Sequence, residues 1–374
     1  MTDTVRLVLN THELARRLGY LTLLVKHCTK PSEGTSLELA SNCLNEKLKA
    51  MGERVNARAC QFVVDYALKI GLLRGELQWS HRGYVVNKYA TDSLDLSGKA
   101  RVVLLKYFLD GDGAFPILFL EELNEVYKKT GDGIVLADFL SPNEENQSGL
   151  ERIFLRIVDI YMTIATELHQ RHAMQTLAIN AMQGYSDHVR IHKSLAHIDP
   201  LVDLGIIQRV DIPDKKKMGR TKYLPVLLKY KNERSNMVES FLQEFGDILK
   251  LDEIMGPQGD FFKRASRLYN IPTEKIDLGK DFGLLRNEIL KAYETCRDDA
   301  FRLAPLSAIY DTVCVELLFP PNSKLCEQSD VSSAVSTLQS ESYGGIRFHV
   351  DDWGVRNYLV ISREYEEQLR KVKD

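Results

Sequence analysis

A chain of 374 residues has room for two or three domains of about 100–200 residues each. With 44% hydrophobic and 27% charged residues it can bury real cores, which excludes a disordered or fibrous class. A formal net charge of −3 excludes a protein that is basic over its whole surface, so any nucleic-acid site must be local.

Apolar residues recur at three- and four-residue spacing over 12–28, 36–51, 55–71, 97–109, 115–129, 150–182, 236–250, 282–300 and 302–317. That period predicts helices. Thr11 ahead of HELARR is the expected cap of the first, and Ser148 serves the 150–182 run in the same way. The opening residues MTDTVRLVLNTHELARRLGY show no basic stretch followed by an apolar run, so no secretory signal is expected. IFLRIVDIYMTIATEL at 153–168 is the most apolar long stretch, but Arg156 and Asp159 interrupt it. It reads as a buried or interface helix, not a membrane span. The six cysteines (Cys28, Cys43, Cys60, Cys296, Cys314 and Cys326) form no CxxC pair and lie mostly among apolar residues. Free thiols of this kind point to a reducing, cytoplasmic setting without a disulfide framework.

Three strand pairs are predicted after helices: 73–79 with 83–88, 207–212 with 221–227, and 345–350 with 356–362. The first two sit in an internal echo. DYALKIGLLRGELQWSHRGYVV from Asp65 and DPLVDLGIIQRVDIPDKKKMGRTKYLPV from Asp199 share an aspartate, an apolar helix end, a glycine six residues on, and two aliphatics. A polar strand, a basic turn and a return strand follow in both. Gly71 and Gly205 are placed to supply the left-handed residue just past a helix. A looser third version, 332–362, places Gly344 and Gly345 before a hairpin turning at Asp352–Trp353–Gly354. Within the second copy, Asp199–Pro200 suggests a cap and first helical position, with a kink or break there.

Helix, glycine, then a two-stranded hairpin resembles the ending of a winged helix-turn-helix. The resemblance covers about 60–70 residues in each of the first two copies and less in the third. It implies a three-helix core with the third helix and the wing presented to a partner. The expected fold class is therefore mainly α with small β-hairpins, as tandem winged-helix units joined by helical connectors. The units are drawn at 1–92, 176–235 (with a basic wing) and 291–374 (divergent). Helical connectors fill 93–175 and 236–290, and SPNEENQSG at 141–149 and MGPQGD at 255–260 are the hinge candidates.

Between Ile212 and Arg234 eight basic residues stand against two acids. Lys215, Lys216, Lys217, Arg220 and Lys222 occupy the expected second wing, where each phosphate contact would release a counterion. Lysines at a hairpin tip also simply keep strand edges apart, so the patch alone does not decide the matter. The helix ahead of it adds Arg190, His192, Lys193 and His197, with arginine and lysine suited to base edges and histidine to phosphate or sugar. The first copy contributes Arg58, Arg74 and Arg82. Trp79 reads as a stacking platform or, more ordinarily, as a cross-hairpin packing residue. The third hairpin is acidic at its tip, which repels phosphate, and its Trp353 is suited to anchor a protein partner.

Enzyme motifs are lacking. No GxxxxGK[ST] or GxSxG occurs, and DGDGAF at 110–115 has neither the lysine of a phosphate loop nor the terminal glutamate of a calcium loop. His169 and His172 lack a third zinc ligand, and Asp211, Asp214 and Lys216 lack the partners of a metal nuclease. The expectation is a non-enzymatic, cofactor-free protein that binds double-stranded DNA, as a transcription regulator or the DNA-engaging subunit of a larger complex. It would act as a homodimer or within a multiprotein assembly, away from membranes. The alternative is a protein-interaction scaffold in a DNA-processing, chromosome-organising or anti-phage assembly.

Overall fold

The computed structural model describes residues 17–31, 33–112, 114–141, 148–164, 187–211, 221–228, 236–249, 260–298, 302–350 and 356–371. Caps chosen from the expected polar set begin many of its helices. Ser36 accepts the Leu39 amide at 3.2 Å, Asn56 that of Ala59 at 2.8 Å, and Asn236 that of Glu239 at 2.9 Å. The protein is mainly helical with small β-sheets, and its helices and hairpins fall into three groups.

The first group comprises α1 (Leu18–Leu23), which runs on into a π-helical turn at Leu24–Cys28, then α2 (Leu37–Ala50) and α3 (Ala57–Lys69). A two-residue hairpin follows, β1 (Leu73–Arg74) against β2 (Gln78–Trp79). The chain before α2 runs alongside it: Trp79 N–H donates to the Lys30 carbonyl at 3.2 Å and Thr35 N–H to that of Glu76 at 2.8 Å. The strand expected at 83–88 is not one. Those residues lie in α4 (His81–Tyr89), capped by Ser80, whose hydroxyl accepts the amides of Arg82 and Gly83. The apolar run Tyr84–Val86 is buried because α4 packs on two groups at once, a burial that a short apolar run signals equally as strand or helix.

Helix α5 (Gly98–Asp112) leads to the second group: α6 (Ala114–Thr130), β3 (Ile134–Val135), α7 (Leu136–Leu140), α8 (Gly149–Ile164) and α9 (Asp187–Asp203), then β4 (Ile207–Asp211) and β5 (Thr221–Pro225). The sheet order is β3-β5-β4, all antiparallel. This pairing joins Ile134 to Tyr223 across the boundary drawn at 175/176. Helix α9 is continuous through Pro200, so the break expected at Asp199 does not occur. Proline this near the end forfeits a single ladder bond, and residues 194–201 are buried, which outweighs the loss.

After α10 (Met237–Phe245), α11 (Phe261–Leu268) and β6 (Glu274–Lys275) comes the third group. It has α12 (Leu278–Cys296), β7 (Leu303–Pro305), α13 (Leu306–Leu318), β8 (Lys324–Leu325), α14 (Gln328–Glu341), β9 (Ile346–Val350) and β10 (Arg356–Ile361), closed by α15 (Arg363–Lys371). Strands order β7-β10-β9, the same first-third-second arrangement as in the second group, while β8 pairs in parallel with β6.

One continuous apolar core runs through all three groups, including Tyr66, Phe108, Phe119, Tyr223 and Val313. Fully burying a purely apolar side chain such as Phe108, Phe119 or Val313 contributes about 1.5–3 kcal/mol. Polar ties fix the groups to each other. Asp203, at the end of α9, accepts from Arg17 Nε at 2.9 Å and the Leu18 amide at 2.6 Å. Asp311 on α13, 3% exposed, is ion-paired to Lys106 and accepts from Tyr107 Oη at 2.9 Å and Gln328 Nε2 at 2.9 Å. Glu316, five residues on in the same helix, holds both Lys88 and Lys99. Among the described residues no helix is long and apolar enough to cross a membrane.

Candidate nucleic-acid interface

The second group's hairpin is set by registration of β4 on β5, with Asp211 opposite Thr221 and Ile207 opposite Pro225. Behind it, Asp199 of α9 is 3% exposed and accepts from Tyr223 Oη at 2.7 Å and Arg209 Nη1 at 3.0 Å. Helix and hairpin are thereby locked at a fixed angle by hydrogen bonds to a charged acceptor, the stronger kind. Gly205, at φ +73°, turns the chain from α9 into β4, as Gly71 does from α3 into β1. A left-handed residue with a Cβ costs about 1–2 kcal/mol there. The third group departs from this: Tyr343 takes the equivalent place at φ +47°, with a fully exposed side chain, followed by Gly344 at φ +90°.

The side chains nominated for contact divide into three sets. Arg58 and Arg74 are exposed on the first group, with no ion-pair partner among the described residues. Three others have partners within the fold. His197 is 3% exposed and stacks on Phe115 at 4.6 Å, a core position on the buried face of α9. Arg82 lies on α4, not in a wing strand. It donates to Asp110 at 3.0 Å and to the Ile70 carbonyl at 3.0 Å, with its guanidinium 4.8 Å from the Tyr107 ring centre. Burial pushes the Asp110 carboxyl above its ordinary value, against the pull of Arg82. Lys222 on β5 is ion-paired with Asp132, just ahead of β3, and that bond with the Gly133 amide holds the Asp132 carboxyl below its usual range. The remaining nominees lie outside the described residues: Lys215, Lys216, Lys217, Arg220 and Trp353, and the side chains of Arg190, His192 and Lys193.

Trp79 packs: its indole N–H donates to Thr29 Oγ1 at 2.9 Å and its ring meets Tyr84 edge-on at 5.5 Å. Asp211 bonds to Arg209 and Thr221, both at 3.2 Å. No protein-family model, curated protein or solved structure matches this chain.

The sequence marks Asp199 only as a helix cap and does not mark Asp311, yet both are buried acceptors that tie elements together. A signal existed for the second: IYDTVCVELL places one carboxylate in an otherwise apolar helical turn, where a buried charge needs a partner. The helix α14 offers the opposite surface chemistry to the basic stretch. Its sequence, QSDVSSAVSTLQSE, holds two acids and no base, and Ser329, Ser333, Ser336, Thr337 and Ser340 are exposed. Their hydroxyls donate largely to their own helix, as in Ser333 to the Ser329 carbonyl at 2.9 Å.

Proposed function

We propose that this chain is a double-stranded-DNA-binding protein of tandem winged-helix units, acting as a regulator or as the DNA-engaging subunit of a larger complex. The observation that carries the reading is the repeated element order. Helix, strand, helix, helix and hairpin, with the first strand paired to the last, occurs over 114–225 with α8 inserted, and again over 278–361 with the two-residue β8 inserted ahead of the third helix. That is the order of a winged helix, in which the third helix and the hairpin face a partner. In the second unit the chain between the paired strands carries Lys215, Lys216, Lys217 and Arg220, a density of charge suited to a phosphate backbone. The mechanism is positional: the wing clamps phosphates while the helix of the same unit lies in or along a groove.

A salt series tests it. Fluorescence anisotropy with a duplex at about 50 mM salt should show saturable binding, with log K falling against log salt by about 0.9 per phosphate contacted. Absence of duplex binding there sinks the reading.

A second reading, a protein-interaction scaffold, is favoured by the third unit. Its third helix carries the acids Asp330 and Glu341 and no cation, a charge that repels phosphates, and the fully exposed Tyr343 follows its C-cap. Exposed aromatics of this kind anchor protein contacts.

A further inference from the structure

A cleft of about 470 Å³ opens between the first and third groups, away from the second hairpin. One wall is β1, β2 and the start of α4, with Arg74, Trp79, His81 and Tyr84; the other is built from β7, β10 and their flanks, with the carboxylate Asp298, the apolar Leu303 and Pro305, and Asn357 and Tyr358. That volume is in the range of small-ligand pockets, roughly 300–1,000 Å³.

Its chemistry narrows the occupant. Arg74 is exposed and has no ion-pair partner among the described residues, so a guanidinium fork stands ready for a phosphate or carboxylate. His81 has no hydrogen-bond partner among the described residues, and burial, with the neighbouring Arg82, pushes its imidazole down to about 4. At neutral pH the ring is therefore uncharged, with one nitrogen donating and one accepting. That is the complement of a heteroaromatic ring edge, and it leaves anion binding to Arg74. Aromatic residues line the cleft from both groups: Trp79, held by Thr29 and met edge-on by Tyr84, from the first, and Tyr358 from the third. Aromatic side chains on both sides suit a planar ring, and the polar groups interspersed with them disfavour a lipid chain.

We propose that this cleft binds a nucleoside 5′-monophosphate, free or as the 5′ end of a strand, with Arg74 on the phosphate and His81 on the base edge. Trp79 and Tyr358 flank the base. The proposal is independent of duplex binding by the second unit, since none of these residues lies on that hairpin.

Isothermal titration of the full chain with AMP, GMP, CMP and UMP tests it, beside one tetranucleotide with and without a 5′-phosphate. Saturable binding is expected, weakened about tenfold or more in Arg74→Ala, which removes a charge-assisted contact. His81→Ala should weaken it as well, and His81→Gln, which keeps a donor and an acceptor, should restore part of the loss. Circular dichroism reports whether each variant folds; should His81→Ala unfold, Arg74→Ala, altering an exposed side chain, still decides. Mononucleotides binding as tightly as the phosphorylated tetranucleotide assign the site to free nucleotide. A clear preference for the phosphorylated strand assigns it to a strand end. No saturable binding by any of these up to about 5 mM, or binding unchanged in both Arg74→Ala and His81→Ala, overturns the proposal.

Discussion

The second and third groups share one sheet order and, apart from the inserted α8 and β8, one element order, yet their surfaces differ. The second carries its cations in the sequence between β4 and β5, and it spends most of α9's C-terminal half on the core. The third leaves a hydroxyl-rich, acidic face on α14 exposed and replaces the turn glycine with a solvent-exposed tyrosine. The backbone order therefore says how each unit is assembled, while the partner is a matter of the side chains left over. On the reading advanced here, the second unit meets DNA and the third meets protein.

Each of these units is held by one buried aspartate, which gives the sharpest way to compare them. Asp311→Ala strands the Lys106 ammonium and the Tyr107 hydroxyl in a buried site between groups, so it should cost about 3–5 kcal/mol in urea unfolding. Asp199→Ala frees Tyr223 and Arg209 within the second unit alone, and Arg209 can partly turn to solvent. About 2 kcal/mol is expected by the same measurement. If the two losses proved equal, the idea that Asp311 joins groups while Asp199 only braces a hairpin would be wrong.

The helix ends give a smaller contrast of opposite sign. Gly205→Ala places a Cβ on a left-handed residue and should destabilise by about 1 kcal/mol, whereas Tyr343→Gly relieves the same strain without losing packing. Tyr343→Gly should therefore be neutral to stabilising, by up to about 1 kcal/mol once the flexibility of glycine is offset. Thermal unfolding of the pair checks both signs. A marked loss of stability in Tyr343→Gly would show that the ring has a folded-state contact.

The smallest effect lies in acid. Burial alone would raise the Glu316 carboxyl, but Lys99 and Lys88 together bring it below its ordinary value. A carboxyl depressed in the folded state stabilises above the unfolded value, about 4.3, and that contribution fades as pH falls through the folded value. Glu316→Gln lacks it, so the gap in stability between native and variant should narrow as pH drops from about 5 towards 3. A gap that stays constant would mean the two lysine pairs do not hold the third group to α4 and α5.

Much of the fold was legible because long helices advertise themselves: the period through 36–51, 55–71 and 97–109 matches α2, α3 and α5 closely. Gly71 and Gly205 were equally readable, since only a turn past a helix needs them there. The failure at 83–88 came from a run too short to carry a period, where Ser80's capping and two-sided burial decided for helix. The candidate site was less legible. Arg82, Lys222 and His197 look like surface cations in the sequence, and only folding reveals Asp110, Asp132 and Phe115 beside them. Nothing in a linear chain distinguishes a spare cation from a paired one when its partner is distant in sequence.

The contrast between the two units is tested most directly by anisotropy of a labelled duplex at about 50–100 mM salt, comparing two charge reversals. Lys215→Glu/Lys216→Glu/Lys217→Glu in the second unit should abolish binding, and Arg347→Glu on the exposed face of β9 in the third should leave it within about twofold. Equal binding by the native chain and the triple variant would contradict the account.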